Sequence, residues 1–244
     1  MKVLSIGDQI RAGTYLVRSR FTRSVLLLDP AQRALFVVDR SIGAGPLHLV
    51  VSNPNTFVAD EQLNIPLPKP PPIFDSKMPH LSANARQRLL RVLQSSLPRH
   101  AHPESLISLF TPPKKLSTVH HHRNAIFQKA FAHVEARQIT EAIRLIRGCG
   151  EGLTPSGDDF ICGWMLALRL KKKFEQAQCL LPHALGNNPI SNAFLEMAAK
   201  GRVNIALQHL LTSPTDAHIK KVCAFGHSSG ADILCGLWFG FIRQ

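Results

Sequence analysis

The segment from residue 64 to residue 80 limits the possible folds of this chain more than any other stretch. It holds six prolines in "NIPLPKPPPIFDSKMPH". Proline lacks the backbone N–H that a helix interior or a central strand requires, so this segment predicts a semi-rigid connector. We therefore expect a first part at residues 1–63, the connector at 64–80 and a second part at 81–244.

The residues before the connector carry the signals of β-strands. Between residues 13 and 59, "GTYLVRSRF", "SVLLLD", "ALFVVD" and "PLHLVVS" are short and rich in branched side chains. Turn sequences such as "DPAQR" and "SIGAGP" separate them. This pattern predicts a β-meander or a small barrel.

After the connector, the apolar residues follow a helical period. Leu89, Leu93 and Leu97 recur at four-residue steps after Ser82, which is a candidate N-cap. The same reasoning predicts helices near 82–97, 103–110, 120–136, 140–147, 157–172, 190–200, 202–211, 215–224 and 230–242. The predicted fold class is α+β, with a β-rich, barrel-like N-terminal part followed by a larger all-helical C-terminal part.

Composition limits the classes of partner. Lys and Arg outnumber Asp and Glu by 29 to 16, a net charge of +13 that attracts anions. The basic residues are dispersed, without a dense tail, which does not favour a nucleic-acid partner. Neither a membrane-spanning run nor a secretory signal is apparent, and the five cysteines form no Cys-x-x-Cys pair. We expect a cytoplasmic protein that is not bound to a membrane.

The stretch "GEGLTPSGDDF" at 150–160 predicts the start of a helix. Thr154 before Pro155, or Ser156, provides an N-cap, and two aspartates follow in the first turn, where the helix dipole favours carboxylates. The surrounding glycines expose backbone amides, and such turns are a common seat of bound anions. Capping alone explains the aspartates but not the glycines.

A second copy of this motif lies 73 residues further on, in "GHSSGADILCG". The shared pattern is Ser-Gly-x-Asp-x-x-Cys-Gly, which aligns Ser156, Gly157, Asp159, Cys162 and Gly163 with Ser229, Gly230, Asp232, Cys235 and Gly236. We infer that two equivalent helix starts face each other across one site, with small residues one turn later that permit close approach. The alternative is a duplicated packing element that binds no ligand.

Three segments, "GCGEGLTPSGDDFICG", "ISNAFLEMAAKGR" and "GHSSGADILCG", together resemble the AllH-like family. The resemblance covers residues 148–236, and the "GAGP" turn at 43–46 is compatible with that family's N-terminal region. It implies an α+β subunit of oxamate carbamoyltransferase that works beside FdrA-like and AllG-like subunits. It also implies a reaction of allantoin and purine degradation, in which oxalurate and phosphate give oxamate and carbamoyl phosphate.

The candidate site residues follow from the two motifs and this resemblance. We expect catalytic roles for Asp158, Asp159, Asp232 and His227. We expect substrate contacts from Gly150, Gly152, Thr154, Ser156, Gly157, Ser191, Ser228, Ser229 and Gly230.

Carboxylates repel an anion, so the aspartates must face the amide end of a substrate, accept protons or bind a cation. We favour a hydrogen-bond acceptor and general base, with no metal or cofactor. Magnesium bound at the aspartates is the alternative.

A non-catalytic scaffold, or a regulatory anion-binding subunit of a larger complex, is the alternative function. It predicts aspartates that point to solvent or accept hydrogen bonds from local amides. The run "HHHR" at 120–123 predicts a solvated helix start rather than a metal site, because adjacent histidines do not share one helical face.

Overall fold

A computed structural model describes residues 2–54, 62–112 and 117–243 of the chain. The chain divides into two compact units. Unit 1 comprises Met1–Met78 and Arg202–Gln208, and unit 2 comprises Pro79–Gly201 and His209–Gln244. Within the described ranges, no helix is long and apolar enough to cross a membrane.

The strands of unit 1 form one curled mixed sheet, a half-barrel. They are β1 Val3–Gly7, β2 Gly13–Phe21, β3 Ser24–Leu28, β4 Ala34–Val38, β5 His48–Val51, β6 Gln62–Ile65 and β7 Ile73–Phe74. Their order is β6-β2-β3-β4-β5-β1-β7, with parallel pairing only at β4–β5 and β1–β7 among the described strands. Alternate residues such as Val25 and Leu27, or Leu35 and Val37, fill one core, because side chains two apart share a face.

The α+β class and the barrel-like character of the N-terminal part are therefore confirmed. The proline-rich segment 64–80 holds no central strand, and its first two residues end β6, which lies at one edge of the sheet. Its residues Ile73 and Phe74 form β7, which lies at the edge of the sheet beside β1. An edge position tolerates nearby prolines because one side of the strand needs no partner. Residues 55–59 of the predicted β region lie outside the described residues.

The helices described in the chain are α1 Ala83–His100, α2 Thr118–Glu135, α3 Ile139–Ile146, α4 Ser156–Leu170, α5 Phe174–Ala184, α6 Pro189–Ala199, α7 Ile205–Thr212, α8 Asp216–Cys223 and α9 Ser229–Ile242. Helix α1 begins as predicted, because the Ser82 side chain accepts a hydrogen bond from the amide of Ala85. Its apolar stripe, Leu89, Leu93 and Leu97, is buried.

The helices differ from the predictions in three places. The helix expected at 103–110 is a single 3₁₀ turn at Leu106–Leu109. Helix α5 was not predicted at all, because its buried residues, Ala177, Leu180 and Ala184, form a narrow stripe in a polar sequence that contains Pro182. The helix expected from residue 202 begins at Ile205.

Helices α4 and α9 form the centre of unit 2. Almost every residue of α4 is buried, so this helix is covered on all sides rather than on one face. Aromatic rings surround the pair: Phe160 and Trp164 of α4 contact Phe239 of α9 at centroid distances of 5.3 and 5.1 Å. Phe131 of α2 stacks on Phe239 at 4.6 Å. This packing fixes the starts of α4 and α9, where the two sequence motifs lie.

Candidate functional site

Helices α4 and α9 approach so closely that no side chain fits between their backbones at two points. A Cβ atom added at Gly163 would lie 1.9 Å from the carbonyl oxygen of Ile233. One added at Gly236 would lie 1.9 Å from the carbonyl oxygen of Phe160. The same 73-residue shift relates the two contacts and the two motifs. The prediction that small residues permit close approach is confirmed.

Each of the two helices begins in a hairpin with the helix before it. The amide of Gly157 donates to the carbonyl of Cys149 at 2.8 Å, and the amide of Gly230 donates to that of Phe225 at 3.0 Å. A Cβ atom at these two glycines would lie 1.7 and 1.9 Å from a carbonyl oxygen of the preceding helix. Gly157 and Gly230 therefore allow tight packing, and their amides already have protein acceptors.

The two helix starts bring hydroxyl and carboxyl groups together in a cluster that we call the twin-start site. It consists of Thr154, Ser156, Asp159, Ser228, Ser229 and Asp232. The Thr154 hydroxyl donates to Asp159 Oδ2 at 3.0 Å and lies 3.1 Å from Ser229 Oγ. The Ser229 hydroxyl also stabilises the Asp159 carboxylate. Asp232 of α9 is in turn stabilised by Ser156 at the start of α4 and by Ser228, which precedes α9. Each carboxyl therefore faces the serine that begins the other helix.

The environment of the two carboxyls favours binding a proton. Burial, and then the nearby charge of Asp232, raise the pKa of Asp159 well above its usual value. Burial also raises the pKa of Asp232, although the Leu106 amide, which donates to Oδ1 at 2.6 Å, opposes this shift. Asp232 Oδ2 is buried and makes no hydrogen bond of normal geometry. Two buried carboxyls repel each other when both are ionised, so the pair retains a proton more readily than a free aspartate.

A buried cation, Arg123, lies near these carboxyls, and sequence reasoning missed it. Its charge lowers the pKa of Asp232. Its guanidinium donates to the backbone carbonyls of Glu104 at 2.6 Å and Ser105 at 3.1 Å. The neighbouring His121 and His122 are exposed, as expected of a solvated helix start. A signal was present, because Arg123 lies four residues before the buried Phe127 and so shares its helix face.

Asp158 has different partners from Asp159. Its Oδ1 accepts a hydrogen bond from the Gly148 amide at 2.6 Å. Burial, the largest effect, raises the pKa of Asp158, and the Ser191 hydroxyl opposes this shift. The Ser191 hydroxyl makes no hydrogen bond of normal geometry. Successive residues of a helix point about 100° apart, which explains why the two neighbouring aspartates meet different groups. Ser191 thus lies beside Asp158 rather than beside the paired carboxyls.

The loop before α4 is built from glycines in a left-handed backbone conformation. Gly148, Gly150 and Gly152 have φ values of 67°, 116° and 96°, which side-chain-bearing residues rarely adopt. The loop is exposed at these glycines, and the Asn188 side chain holds it by donating to the Leu153 carbonyl at 2.8 Å. Gly150 and Gly152 therefore form an exposed border next to Thr154.

His227 lies at the surface, one residue before Ser228. Its Nε2 atom is 3.0 Å from Glu104 Oε2, and its ring centroid is 4.0 Å from that of His102. The side chain is 68% exposed. The structure thus brings Asp159 and Asp232 together. It places Asp158 beside the glycine loop and His227 outside the twin-start site.

The fold and the site define an α+β protein in which a repeated helix start creates one polar cluster. Residues 146–241 match the family model described as oxamate carbamoyltransferase subunit AllH. This range contains all six residues of the twin-start site, so the resemblance that the motifs indicated is confirmed for this part of the chain. No solved structure matches the chain.

Proposed function

We propose that this chain is a subunit of a carbamoyltransferase of the oxamate type and that its twin-start site binds the carbamoyl group. The observation that carries the proposal is the reciprocal pairing of Asp159 and Asp232 with serines of the opposite helix start. This pairing lies within the range that matches the family model. Because each carboxyl is stabilised by a serine hydroxyl of the other helix start, the two starts would act together as one site.

The chemistry of a carboxyl pair that shares a proton suits a carbamoyl group. A carbamoyl group offers a carbonyl oxygen that accepts hydrogen bonds and an NH₂ group that donates two. A protonated carboxyl donates one hydrogen bond, and its ionised partner accepts several. The raised pKa of Asp159 supports this state, and the hydroxyls of Thr154 and Ser229 add further partners. A pair that carries one proton also repels an anionic substrate less than two carboxylates do.

The transfer step requires a proton, and in this proposal Asp159 supplies it. In the proposed reaction, a phosphate oxygen attacks the carbamoyl carbon of oxalurate. The bond from that carbon to the oxamate nitrogen breaks, and the nitrogen takes a proton from the Asp159 carboxyl. The proton that the attacking hydrogen phosphate loses then returns the Asp159 carboxylate to its protonated form. In the reverse direction Asp159 accepts this proton as a general base, and its raised pKa favours that role.

The resemblance to the AllH-like family supports a proposal for the partner subunits, the compartment and the pathway. FdrA-like and AllG-like subunits would complete the enzyme, which would act in the cytoplasm on products of allantoin and purine degradation. The net charge of +13 supports attraction of small anionic substrates. The step described above uses no metal, and magnesium at the aspartates is therefore a condition to be tested.

A second candidate function, a scaffold or regulatory subunit without catalysis, is favoured by two hydrogen bonds. Asp158 accepts from the Gly148 amide and Asp232 accepts from the Leu106 amide, so each fastens a neighbouring segment of backbone. In a scaffold these contacts would be the whole role of the carboxyls. Replacing one of the aspartates would then lower the stability of the chain without changing ligand binding.

Thermal denaturation with ligands distinguishes the two functions. The purified chain is heated with phosphate, carbamoyl phosphate, oxamate or oxalurate, with and without magnesium. A ligand at 100 times its Kd stabilises by about 2.7 kcal/mol, which raises Tm by roughly 5–10 °C for a chain of this size. We expect oxalurate to raise Tm in the wild type but not in Asp159→Asn or Asp232→Asn.

Asp216→Asn is the matched control, because Asp216 is also in the first turn of a helix but pairs with Arg99 at the surface. It should keep the full ligand-induced rise in Tm. If no ligand stabilises the wild type, and the two site variants only melt earlier, the scaffold function is correct. Carbamoyl phosphate formation by the chain with its partner subunits then tests catalysis itself.

A further inference from the structure

Three side chains outside the twin-start site form a second cluster, which we call the surface triad: His102, Glu104 and His227. Each offers one ligand atom, and these atoms all lie within 4.8 Å of one another. Glu104 Oε2 lies 3.0 Å from His227 Nε2 and 3.9 Å from His102 Nδ1. The three side chains are 38%, 54% and 68% exposed in the order His102, Glu104, His227. An ion from solution therefore has direct access.

The residue types are those of a transition-metal site. Two imidazoles and one carboxylate are the protein ligands of several catalytic zinc centres, which keep a fourth position open. Bonds of about 2.0–2.1 Å in tetrahedral geometry place ligand atoms about 3.3 Å apart. The closest pair, at 3.0 Å, is already near this spacing, and no pair has to contract by more than about 1.5 Å. Exposed side chains make such a movement by rotation about their χ angles.

Hydrogen bonds to buried side chains hold the backbone that carries Glu104 of the triad. Arg123 donates to the carbonyls of Glu104 and Ser105, at 2.6 and 3.1 Å. The amide of Leu106 donates to the buried Asp232 at 2.6 Å. The Arg123 bonds fasten the segment of Glu104 to α2, and the Leu106 bond fastens it to α9, whose start follows His227. The two halves of the triad, 123 residues apart in sequence, are thus kept together.

We propose that His102, Glu104 and His227 bind one divalent transition-metal ion of the zinc type. Imidazole and carboxylate together favour Zn²⁺ over magnesium or calcium, which prefer sites made only of oxygen. The ion would lie at the surface beside the start of α9, with an open position for water or an anionic ligand. This site is separate from the magnesium alternative at the aspartates.

Metal titration of the untagged full chain, after treatment with a chelator, tests the proposal with the metal alone as probe. Zn²⁺ binding is followed by calorimetry, and Co²⁺ binding by its visible absorption. We expect one ion per chain, and a loss of affinity of at least about tenfold in each of His102→Ala, His227→Ala and Glu104→Gln. The double variant His121→Ala/His122→Ala is the control, because these exposed histidines lie on the same unit.

Loss of metal binding can be distinguished from loss of folding, because all three ligands are on the surface and their substitution leaves the core unchanged. Circular dichroism of each variant checks that it is folded. Retention of one-ion binding by the control, with loss in the three triad variants, supports the site. Absence of Zn²⁺ binding to the wild type overturns it. Equal loss in the control variant, or full affinity in any two triad variants, also overturns it.

Discussion

Replacing Gly163 by alanine tests the close approach of α4 and α9, on which the twin-start site depends. Helix propensity alone predicts that this change stabilises α4 by about 1 kcal/mol. The structure predicts the opposite sign. The new Cβ atom would lie 1.9 Å from the Ile233 carbonyl oxygen and 2.7 Å from the Leu237 nitrogen, and both are backbone atoms that cannot rotate away.

The magnitude follows from the distance that must be gained. A carbon–oxygen contact needs about 3.3 Å, so the two helices must separate by about 1.4 Å at this point, 3.3 minus 1.9. That movement also disturbs the contact between Phe160 and Phe239, whose rings are 5.3 Å apart. Overpacking of a core, including the backbone shifts it forces, costs about 1–3 kcal/mol and occasionally more, and a contact between two backbones lies at the upper end of that range. We expect the free energy of unfolding to fall by about 3 kcal/mol or more.

Urea unfolding followed by tryptophan fluorescence is the appropriate assay. The chain has two tryptophans, Trp164 on α4 and Trp238 on α9, and both are buried, so the signal reports on this helix pair. Gly186→Ala is the control, because a Cβ atom there meets no atom within 4 Å and the φ angle is not left-handed. It should stay within about 0.5 kcal/mol of the wild type. A Gly163→Ala variant as stable as the wild type would refute the reasoning.

Three further predictions use the same structure. The raised pKa of Asp159 makes the folded state bind a proton that the unfolded state releases, so wild-type stability should fall as pH rises above about 4. Urea unfolding across pH 5–8 should show that Asp159→Asn weakens this dependence. Ser82→Ala removes the cap of α1 and should cost about 1 kcal/mol by urea unfolding followed by circular dichroism. Iodoacetamide should label the exposed Cys179 in the native chain, but Cys162 and Cys235 only after unfolding, as mass spectrometry would show.

Periodic and repeated features of this protein could be predicted from its sequence. The four-residue spacing of Leu89, Leu93 and Leu97 defines α1 by itself, because a helix needs only one apolar stripe to be recognised. The repeated Cys-Gly pair likewise identified the two helices that approach closely, since glycine at such a position has a simple steric reason.

Long-range pairings could not be predicted. Sequence spacing does not say which serine faces which aspartate, and the pairing of Asp159 with Ser229 depends on how α4 and α9 cross. The bond from the Leu106 amide to Asp232 joins residues 126 apart, and a backbone donor leaves no mark in side-chain patterns. Arg123 was missed because its three neighbouring histidines dominated the interpretation of that stretch.

Calorimetric titration of oxalurate into the purified chain tests the central claim most directly. The wild type, Asp159→Asn, Asp232→Asn and the double variant are compared. If the two carboxyls form one site, the wild type binds one oxalurate per chain and each single variant loses at least about tenfold in affinity. The double variant then loses little more than either single one, because coupled residues are not additive. Full affinity in both single variants would contradict the account.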